Sequence, residues 1–128
     1  MDKETSNKNL TVNENVLFWK KIFSSTRKTK EIETILDLLS LNQYKDTLTC
    51  YLSYGEIKKL ELSRLMIEQK KLWILDEPYI GLDESSTNLI NQTIINHIEL
   101  GGMVILTSHI LPNISNLETI FLEDHAKY

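Results

Sequence analysis

The sequence predicts an α/β fold, because its second half alternates strand-like with helical patterns and its first half is helical. Leu72 to Leu75 and Met103 to Thr107 are short apolar runs that suit strands buried on both faces of a parallel sheet. Between them, Ile90, Ile94 and Ile98 are spaced as the buried stripe of a helix. Polar residues follow each strand, and ligands of such sheets bind at those carboxyl ends.

The N-terminal part of the chain predicts two amphipathic helices. Apolar residues recur at helical spacing from Thr11 to Phe23 and again from Glu31 to Leu41. A basic link rich in serine and threonine joins the two helices. Residues Met1 to Asn9 carry too little apolar surface to offset the entropy of ordering, so they are predicted to be a disordered lead.

Capping and turn residues place the remaining elements. Ser53 and Glu56 have the S-x-x-E spacing of a capping box, so a third helix should begin at Ser53. Asp83 can cap the helix that follows the first strand, and Gly101 can close that helix in the left-handed conformation. After the second strand, the pattern predicts a short helix and then a third strand at Glu118 to Leu122.

Composition excludes several classes of function. A net charge of -4 and a pI near 5.4 lack the broad basic field of a nucleic-acid binder, so no nucleic-acid partner is expected. A single cysteine cannot form an intramolecular disulfide. No apolar run approaches the roughly 20 residues that cross a bilayer, and the polar start differs from a signal or transit peptide. His97 and His125 lack the spacing of metal ligands and are expected at the surface.

Residues suited to phosphate chemistry stand at the strand ends and at one helix start. Ser53 and Gly55 open a helix with a hydroxyl and backbone amides, which together make an anion site. Asp76 and Glu77 follow the first strand, and His109 follows the second. Two adjacent carboxylates alone could equally well cap the next helix and face solvent. The combination with an anion site and a histidine favours phosphate hydrolysis.

The order of these segments resembles that of the ATP-binding cassette (ABC) ATPases. LSYGE resembles the signature motif, WILDE the Walker B motif, IGLD the D-loop and the histidine of TSH the switch histidine. The resemblance extends from about Leu10 to Leu122. Within the family, LTVNENVLFW, LWILDEPYIGLD and GGMVILTSH are most similar to the ATP-binding subunit of the haem exporter in cytochrome c maturation.

The resemblance implies a domain organisation. The fold class becomes an incomplete P-loop NTPase core, of the ABC ATPase type, with a helical subdomain at its N-terminal end. Residues 10–52 would be the helical subdomain, and 53–122 the signature helix and the C-terminal half of the ATPase core. A lead at 1–9 and a tail at 123–128 would flank them.

The resemblance also implies roles for the site residues, with ATP and Mg²⁺ as cofactors. Asp76 would hold Mg²⁺ through water, and Glu77 would polarise the attacking water. His109 would contact the γ-phosphate. Ser53 and the amide of Gly55 would bind the γ-phosphate of a nucleotide held by the opposite subunit.

The partners that the resemblance implies are a membrane-spanning permease subunit and a second ATPase subunit or P-loop-bearing fragment. Asp83 would communicate across the interface between ATPase subunits. The expected location is the cytoplasmic face of the inner membrane, or the matrix face of the mitochondrial membrane if the gene is organellar. The chain would be peripheral there, without a transmembrane segment.

The sequence departs from the family at the phosphate cradle. None of its four glycines begins the P-loop pattern G-x-x-x-x-G-K-[ST], and the glutamine loop is also missing. Tyr54 and Glu56 replace a small residue and a glutamine of the signature motif. Without the P-loop we expect the chain to be inactive alone. In the family, the Walker A strand lies inside the sheet next to the strand that carries the switch histidine, so without it two strands lack a neighbour and we expect the chain to be only marginally stable alone.

Three functions remain open at this stage. The chain could be half of an ATPase whose P-loop comes from a separate polypeptide. It could be a non-catalytic interaction or regulatory module, which Tyr54 and Glu56 favour. It could also be a truncated remnant without an independent role.

Overall fold

The computed structural model describes residues 6–122. His125, the predicted tail at 123–128 and the first five residues of the predicted lead lie outside that range. The described residues form four α-helices and two strands, which are α1 (Val12–Ile22), α2 (Thr29–Leu38), α3 (Tyr54–Glu68), β1 (Leu72–Asp76), α4 (Glu84–Glu99) and β2 (Met103–Thr107). No helix in this part of the chain is long and apolar enough to cross a membrane.

The predicted start of α3 at Ser53 is confirmed by its hydrogen bonds, and α1 begins with a cap of the same kind. Thr11 caps α1 and Ser53 caps α3, each in a reciprocal capping box. In the second box, Ser53 Oγ accepts from the Glu56 amide at 3.2 Å, and Glu56 Oε2 accepts from the Ser53 amide at 3.4 Å. Gly101 follows α4 with φ 90°, the left-handed conformation expected of a residue that ends a helix.

Helix α3 occupies the centre of the fold. Both α1 and α2 pack against it, and its Leu60 and Ile67 are fully buried. The core also takes apolar residues from the other helices and from β1, namely Val12, Val16, Trp19, Ile32, Ile35, Leu36, Trp73, Ile90 and Ile94. The buried stripe of α4 ends at Ile94, because Ile98 is 45% exposed, so its predicted burial is wrong.

The two strands pair in parallel, with Leu72 opposite Met103 and Asp76 opposite Thr107. The prediction that they are buried on both faces is wrong. Trp73 is 2% exposed on the face that meets the helices, whereas Ile74 and Ile105 are 70% and 59% exposed on the other. Leu72, Ile74, Met103 and Ile105 therefore form a bare apolar surface, which we call the open sheet face. Nothing within residues 6–122 covers it.

The segment after β2 also differs from expectation. Residues 108–122 form neither the predicted short helix nor the predicted third strand at Glu118 to Leu122. A strand is stabilised by an edge that pairs with it, and this segment pairs with neither β1 nor β2. Most of its apolar side chains consequently face solvent, with Ile120 74% and Leu122 75% exposed, whereas Ile114 packs against the core.

The described part of the predicted lead is held by side chains of the helical region. The Asn7 carbonyl accepts from Thr49 Oγ1 at 2.7 Å, and the Asn7 amide donates to Asn15 Oδ1 at 2.8 Å. Asn15 is buried and also donates to the Asn7 carbonyl at 3.1 Å. Residues 6–9 thus belong to the fold, where the sequence predicts disorder.

Candidate functional site

The carboxyl ends of β1 and β2 bring three of the predicted site residues together. Asp76 Oδ1 accepts from Thr107 Oγ1 at 2.7 Å, and Thr107 Oγ1 accepts from the Glu77 amide at 3.0 Å. His109 Nε2 lies 3.2 Å from Glu77 Oε1. Asp76, Glu77 and His109 therefore form one polar cluster, linked by a threonine that sequence reasoning missed. Its signal was the strand register, which puts Thr107 opposite Asp76.

Glu77 is the most constrained member of this cluster. Its φ of 48° lies in the left-handed region, which costs a non-glycine residue of the order of 1 kcal/mol or more. The Glu77 amide is held by both the carbonyl and the hydroxyl of Thr107, and Lys58 Nζ lies 3.5 Å from the Glu77 carbonyl. The Glu77 side chain is 25% exposed, whereas that of His109 is 86% exposed. The geometry thus fixes the carboxylate more firmly than the imidazole.

The first turn of α3 lies against the loop that follows Glu77. A Cβ added at Gly55 would be 3.4 Å from Leu82 Cδ2, so little space separates them. The Tyr54 ring packs over Gly81, whose φ of 74° and contact with the ring both favour glycine. Lys58 Nζ sits 5.3 Å from the Tyr54 ring centroid, within cation–π range. Sequence reasoning missed this contact, although Tyr54 and Lys58 are four residues apart and therefore neighbours on one helix face.

Asp83 acts as the N-cap of α4 in this structure. Its Oδ1 accepts from the Ser86 amide at 2.7 Å. The hydrogen bond from that amide, followed by one from the Ser86 hydroxyl, lowers the pKa of Asp83 below its ordinary value of 3.8. The carboxylate is therefore stabilised in its charged form by the start of the helix, as its position in the sequence suggests.

Asp83 should make the stability of the chain sensitive to acid. A lowered folded-state pKa contributes stability that is present above 3.8 and is lost as pH falls through the lowered value. We expect Asp83→Asn, which keeps the cap without the charge, to flatten the dependence of Tm on pH below about pH 4. Asp83→Ala should lower Tm by a few degrees near neutral pH. Circular-dichroism melts across this range measure both effects, and identical acid profiles for wild type and Asp83→Asn would contradict the assignment.

Tyr79 lies buried beneath the loop that carries these residues. It is 7% exposed, and its hydroxyl donates to Asn91 Oδ1 at 2.5 Å. Burial raises the pKa of Tyr79 to about 12 from an ordinary value of 10.0. Its role is thus to anchor the loop to α4, a question that the sequence leaves undecided.

This buried phenol should make the fold sensitive to alkali. A raised folded-state pKa contributes stability that is full below pH 10 and is lost as pH rises towards 12. The shift from 10.0 to about 12 sets an upper bound of roughly 3 kcal/mol on this loss. We expect Tyr79→Phe to lose less stability than wild type between these pH values. Urea unfolding at several alkaline pH values tests this expectation; parallel losses in the two proteins would refute it.

The cluster at the strand ends fits part of a magnesium–nucleotide site. Mg²⁺ is usually held by one or two carboxylates and completes its shell with water and substrate phosphates, so Asp76 suits one position. Within residues 6–122, no group of three or more His, Cys, Asp or Glu side chains is placed to hold a metal ion. The 128 residues also contain no P-loop pattern. Asp76, Glu77 and His109 therefore match one part of such a site.

A parallel strand pair that ends in Asp-Glu and histidine, beside a capped helix that opens with Ser-x-Gly, defines part of an ATP-binding cassette. The chain belongs to the ABC transporter family, whose family model matches residues 1–80. Solved structures agree on the fold. An ATP-binding cassette of an ABC transporter superposes with a TM-score of 0.65 at 24% identity, covering 85% of this chain and 50% of that one. For cbiO1 of Clostridium perfringens, part of the ABC transporter complex cbiONQ, the TM-score is 0.61 at 24% identity. The superposition covers 80% of this chain and 42% of cbiO1.

Within the family, the curated relatives include cytochrome c biogenesis ATP-binding export proteins, named CcmA. The one from Histophilus somni is 38% identical over 96 residues, which cover 75% of this chain and 44% of the relative. The one from Cereibacter sphaeroides is 33% identical over 113 residues, which cover 88% and 52%. The chain spans about half the length of the curated relatives it matches.

Proposed function

We propose that this chain is part of the ATP-binding subunit of a CcmA-like exporter, serving haem export in cytochrome c biogenesis, and that it hydrolyses ATP only when a separate polypeptide supplies the P-loop. The observation that carries the proposal is the contact of 3.2 Å between Glu77 and His109, with the Glu77 amide fixed by Thr107. A carboxylate held at a strand end beside an imidazole suits a base that must lie close to its water.

The catalytic roles follow from this cluster. Glu77 accepts a proton from the attacking water, and His109, which contacts the same carboxylate, donates a hydrogen bond to a phosphate oxygen. Asp76 carries the carboxylate for Mg²⁺, which supplies charge neutralisation to the phosphates when bound.

The first turn of α3 has a separate role in the proposal. Ser53 and the Gly55 amide bind the γ-phosphate of a nucleotide held by the opposite subunit, since helix N-termini favour anions. Asp83 communicates across the interface between the subunits while it caps α4.

The partners of the proposed enzyme are a membrane-spanning, CcmB-like permease, a second ATPase subunit and a P-loop-bearing chain. The open sheet face supports the P-loop-bearing chain as a partner. Its four apolar residues are between 42% and 70% exposed, and a parallel sheet is ordinarily covered on both faces. The subunit would be peripheral, at the cytoplasmic face of the inner membrane.

A second candidate function is a non-catalytic module that docks on an intact ATPase. The packing of Tyr54 favours it, because the ring covers Gly81 and stands in the first turn of α3, where a phosphate would have to approach. Glu56 adds negative charge to the same turn, although its carboxylate is used in the capping box.

Reconstitution distinguishes the two candidates. The chain is co-expressed with a P-loop-bearing polypeptide that ends at a glutamine loop, taken from the same genome or from the N-terminal half of a CcmA protein. We expect a stable complex that releases phosphate from ATP, and no turnover by either component alone. A stable complex without hydrolysis would favour the docking module. Turnover by the pure chain would contradict the need for a second polypeptide.

A further inference from the structure

A cavity of about 490 Å³ lies between the C-terminal half of α3 and one face of α4, on a part of the fold that the proposed ATPase site does not use. Its volume is in the range of pockets that take small molecules. The apolar part of its lining comes from both helices, from the end of α2 and from β1, and comprises Leu38, Leu65, Met66, Trp73, Leu89 and Leu100.

The charged part of the lining is entirely basic. The described residues that line the cavity include Arg27, Lys70, Lys71 and His97, and none of them is an aspartate or glutamate, in a chain whose net charge is -4. Arg27 is paired with Glu31 at 3.5 Å. Within residues 6–122, neither Lys70 nor Lys71 forms an ion pair.

Helix ends offset only part of this positive charge. The cavity lies at the C-terminal ends of α3 and α4, each of which contributes roughly half a negative charge. Glu68 and Glu99 precede the lining residues Gln69 and Leu100 in sequence, and Glu68 is paired with Arg64 at 3.0 Å. Lys70 and Lys71 are nevertheless charged residues of the lining without an ion pair, so they can attract an anion to the cavity.

The backbone that presents the lysines is fixed before any ligand arrives. Gln69 has φ 61°, and its Oε1 accepts from the Thr26 amide at 3.0 Å. The Lys71 carbonyl accepts from the Met103 amide at 2.8 Å and from His97 Nε2 at 2.8 Å. Such preorganisation lowers the entropy that binding would cost.

An aromatic stack forms another wall of the cavity. The rings of Trp73 and His97 lie 3.7 Å apart between centroids, with an interplanar angle of 5°. A Cβ at Gly102 would overlap the His97 ring, so this glycine makes room for the stack. The buried Trp73 Nε1 has no hydrogen-bond partner in the described part of the chain. The partly exposed His97 ring, held flat on the buried Trp73, thus forms this wall.

We propose that this cavity binds a small amphipathic organic anion, whose apolar body lies against the leucines and the aromatic stack while its carboxylate or phosphate group meets Lys70 and Lys71. The apolar body of such a ligand matches the apolar part of the lining, and its anionic group matches the basic part. The site is separate from Asp76, Glu77 and His109, so its test does not depend on ATP hydrolysis.

The test follows the fluorescence of Trp73, which becomes the only tryptophan in the variant Trp19→Phe. Octanoate is the probe, with octan-1-ol and inorganic phosphate as its apolar and anionic halves. We expect octanoate to change the emission saturably, at concentrations at least tenfold below those at which octan-1-ol or phosphate acts. The double change Lys70→Gln and Lys71→Gln should weaken octanoate binding at least fivefold.

The matched control replaces the adjacent lysines of α1, with Lys20→Gln and Lys21→Gln, and should leave octanoate binding unchanged. Circular dichroism at 222 nm confirms that each variant keeps its helices. Equal binding of octanoate and octan-1-ol would overturn the proposal, as would an equal loss in the two double variants. Tighter binding of an acidic peptide than of octanoate would assign the cavity to a protein partner instead.

Discussion

Glu77→Gln should lower ATP hydrolysis by the reconstituted complex at least 100-fold, the loss typical of a removed general base. Glutamine keeps the size of the side chain and can remain beside His109, but it cannot accept a proton from water. The Glu77 amide should stay bonded to Thr107, because that contact belongs to the backbone. Assembly and nucleotide binding are therefore expected to survive, and the loss should appear in kcat.

The matched control is Glu33→Gln, which removes an exposed carboxylate of α2 and should leave kcat unchanged. Phosphate release gives the rate, and size-exclusion chromatography shows whether the complex forms. If Glu77→Gln retains full activity, Glu77 is not the base and the catalytic proposal fails. If the variant no longer assembles, Glu77 has a structural role in its strained turn.

Leu60→Ala should destabilise the chain by about 2–5 kcal/mol. Leu60 is fully buried in α3, and both α1 and α2 pack on that helix, so truncation leaves a cavity at the centre of the fold. Small domains are stable by only about 5–15 kcal/mol in total, and this chain has the open sheet face besides. We expect the variant to be largely unfolded at 37 °C, as measured by circular dichroism and urea titration.

Leu100→Ala is the matched control for this prediction. Leu100 is 89% exposed, so its truncation should change the free energy of unfolding by less than about 0.5 kcal/mol. A loss of similar size in both variants would show that the helices are not organised around α3. The comparison uses the same residue types, so differences in helix propensity at the two positions remain small beside the cavity term.

Local rules predicted the helices well, because their signals lie within a few residues. The capping box of Ser53 and Glu56 and the left-handed Gly101 both depend on contacts near in sequence. The apolar runs of β1 and β2 correctly indicated strands, but burial on both faces depends on what covers the sheet. A pattern of leucines and isoleucines cannot show whether that cover exists, so the burial predicted for Ile74 is wrong. The third strand does not form because residues 118–122 pair with neither β1 nor β2.

The candidate site was predictable from the sequence only where it depends on topology. Polar residues after neighbouring parallel strands meet at one edge, so the grouping of Asp76, Glu77 and His109 follows from topology. The link through Thr107 needs the exact strand register, and a slip of one residue would turn that side chain to the other face. The stack of Trp73 on His97 joins residues far apart in sequence, and no local pattern signals it.

Under the proposed function, the open sheet face makes the fate of a newly made chain a matter of stoichiometry. Capture by a complementary polypeptide depends on the concentration of that polypeptide. Self-association through exposed apolar strands grows instead with the square of the chain's own concentration. Excess copies would therefore be lost by aggregation, whereas a matched supply would keep them in the complex. Balanced synthesis of the two polypeptides would thus be needed to keep this chain from aggregating, even before the complex hydrolyses any ATP.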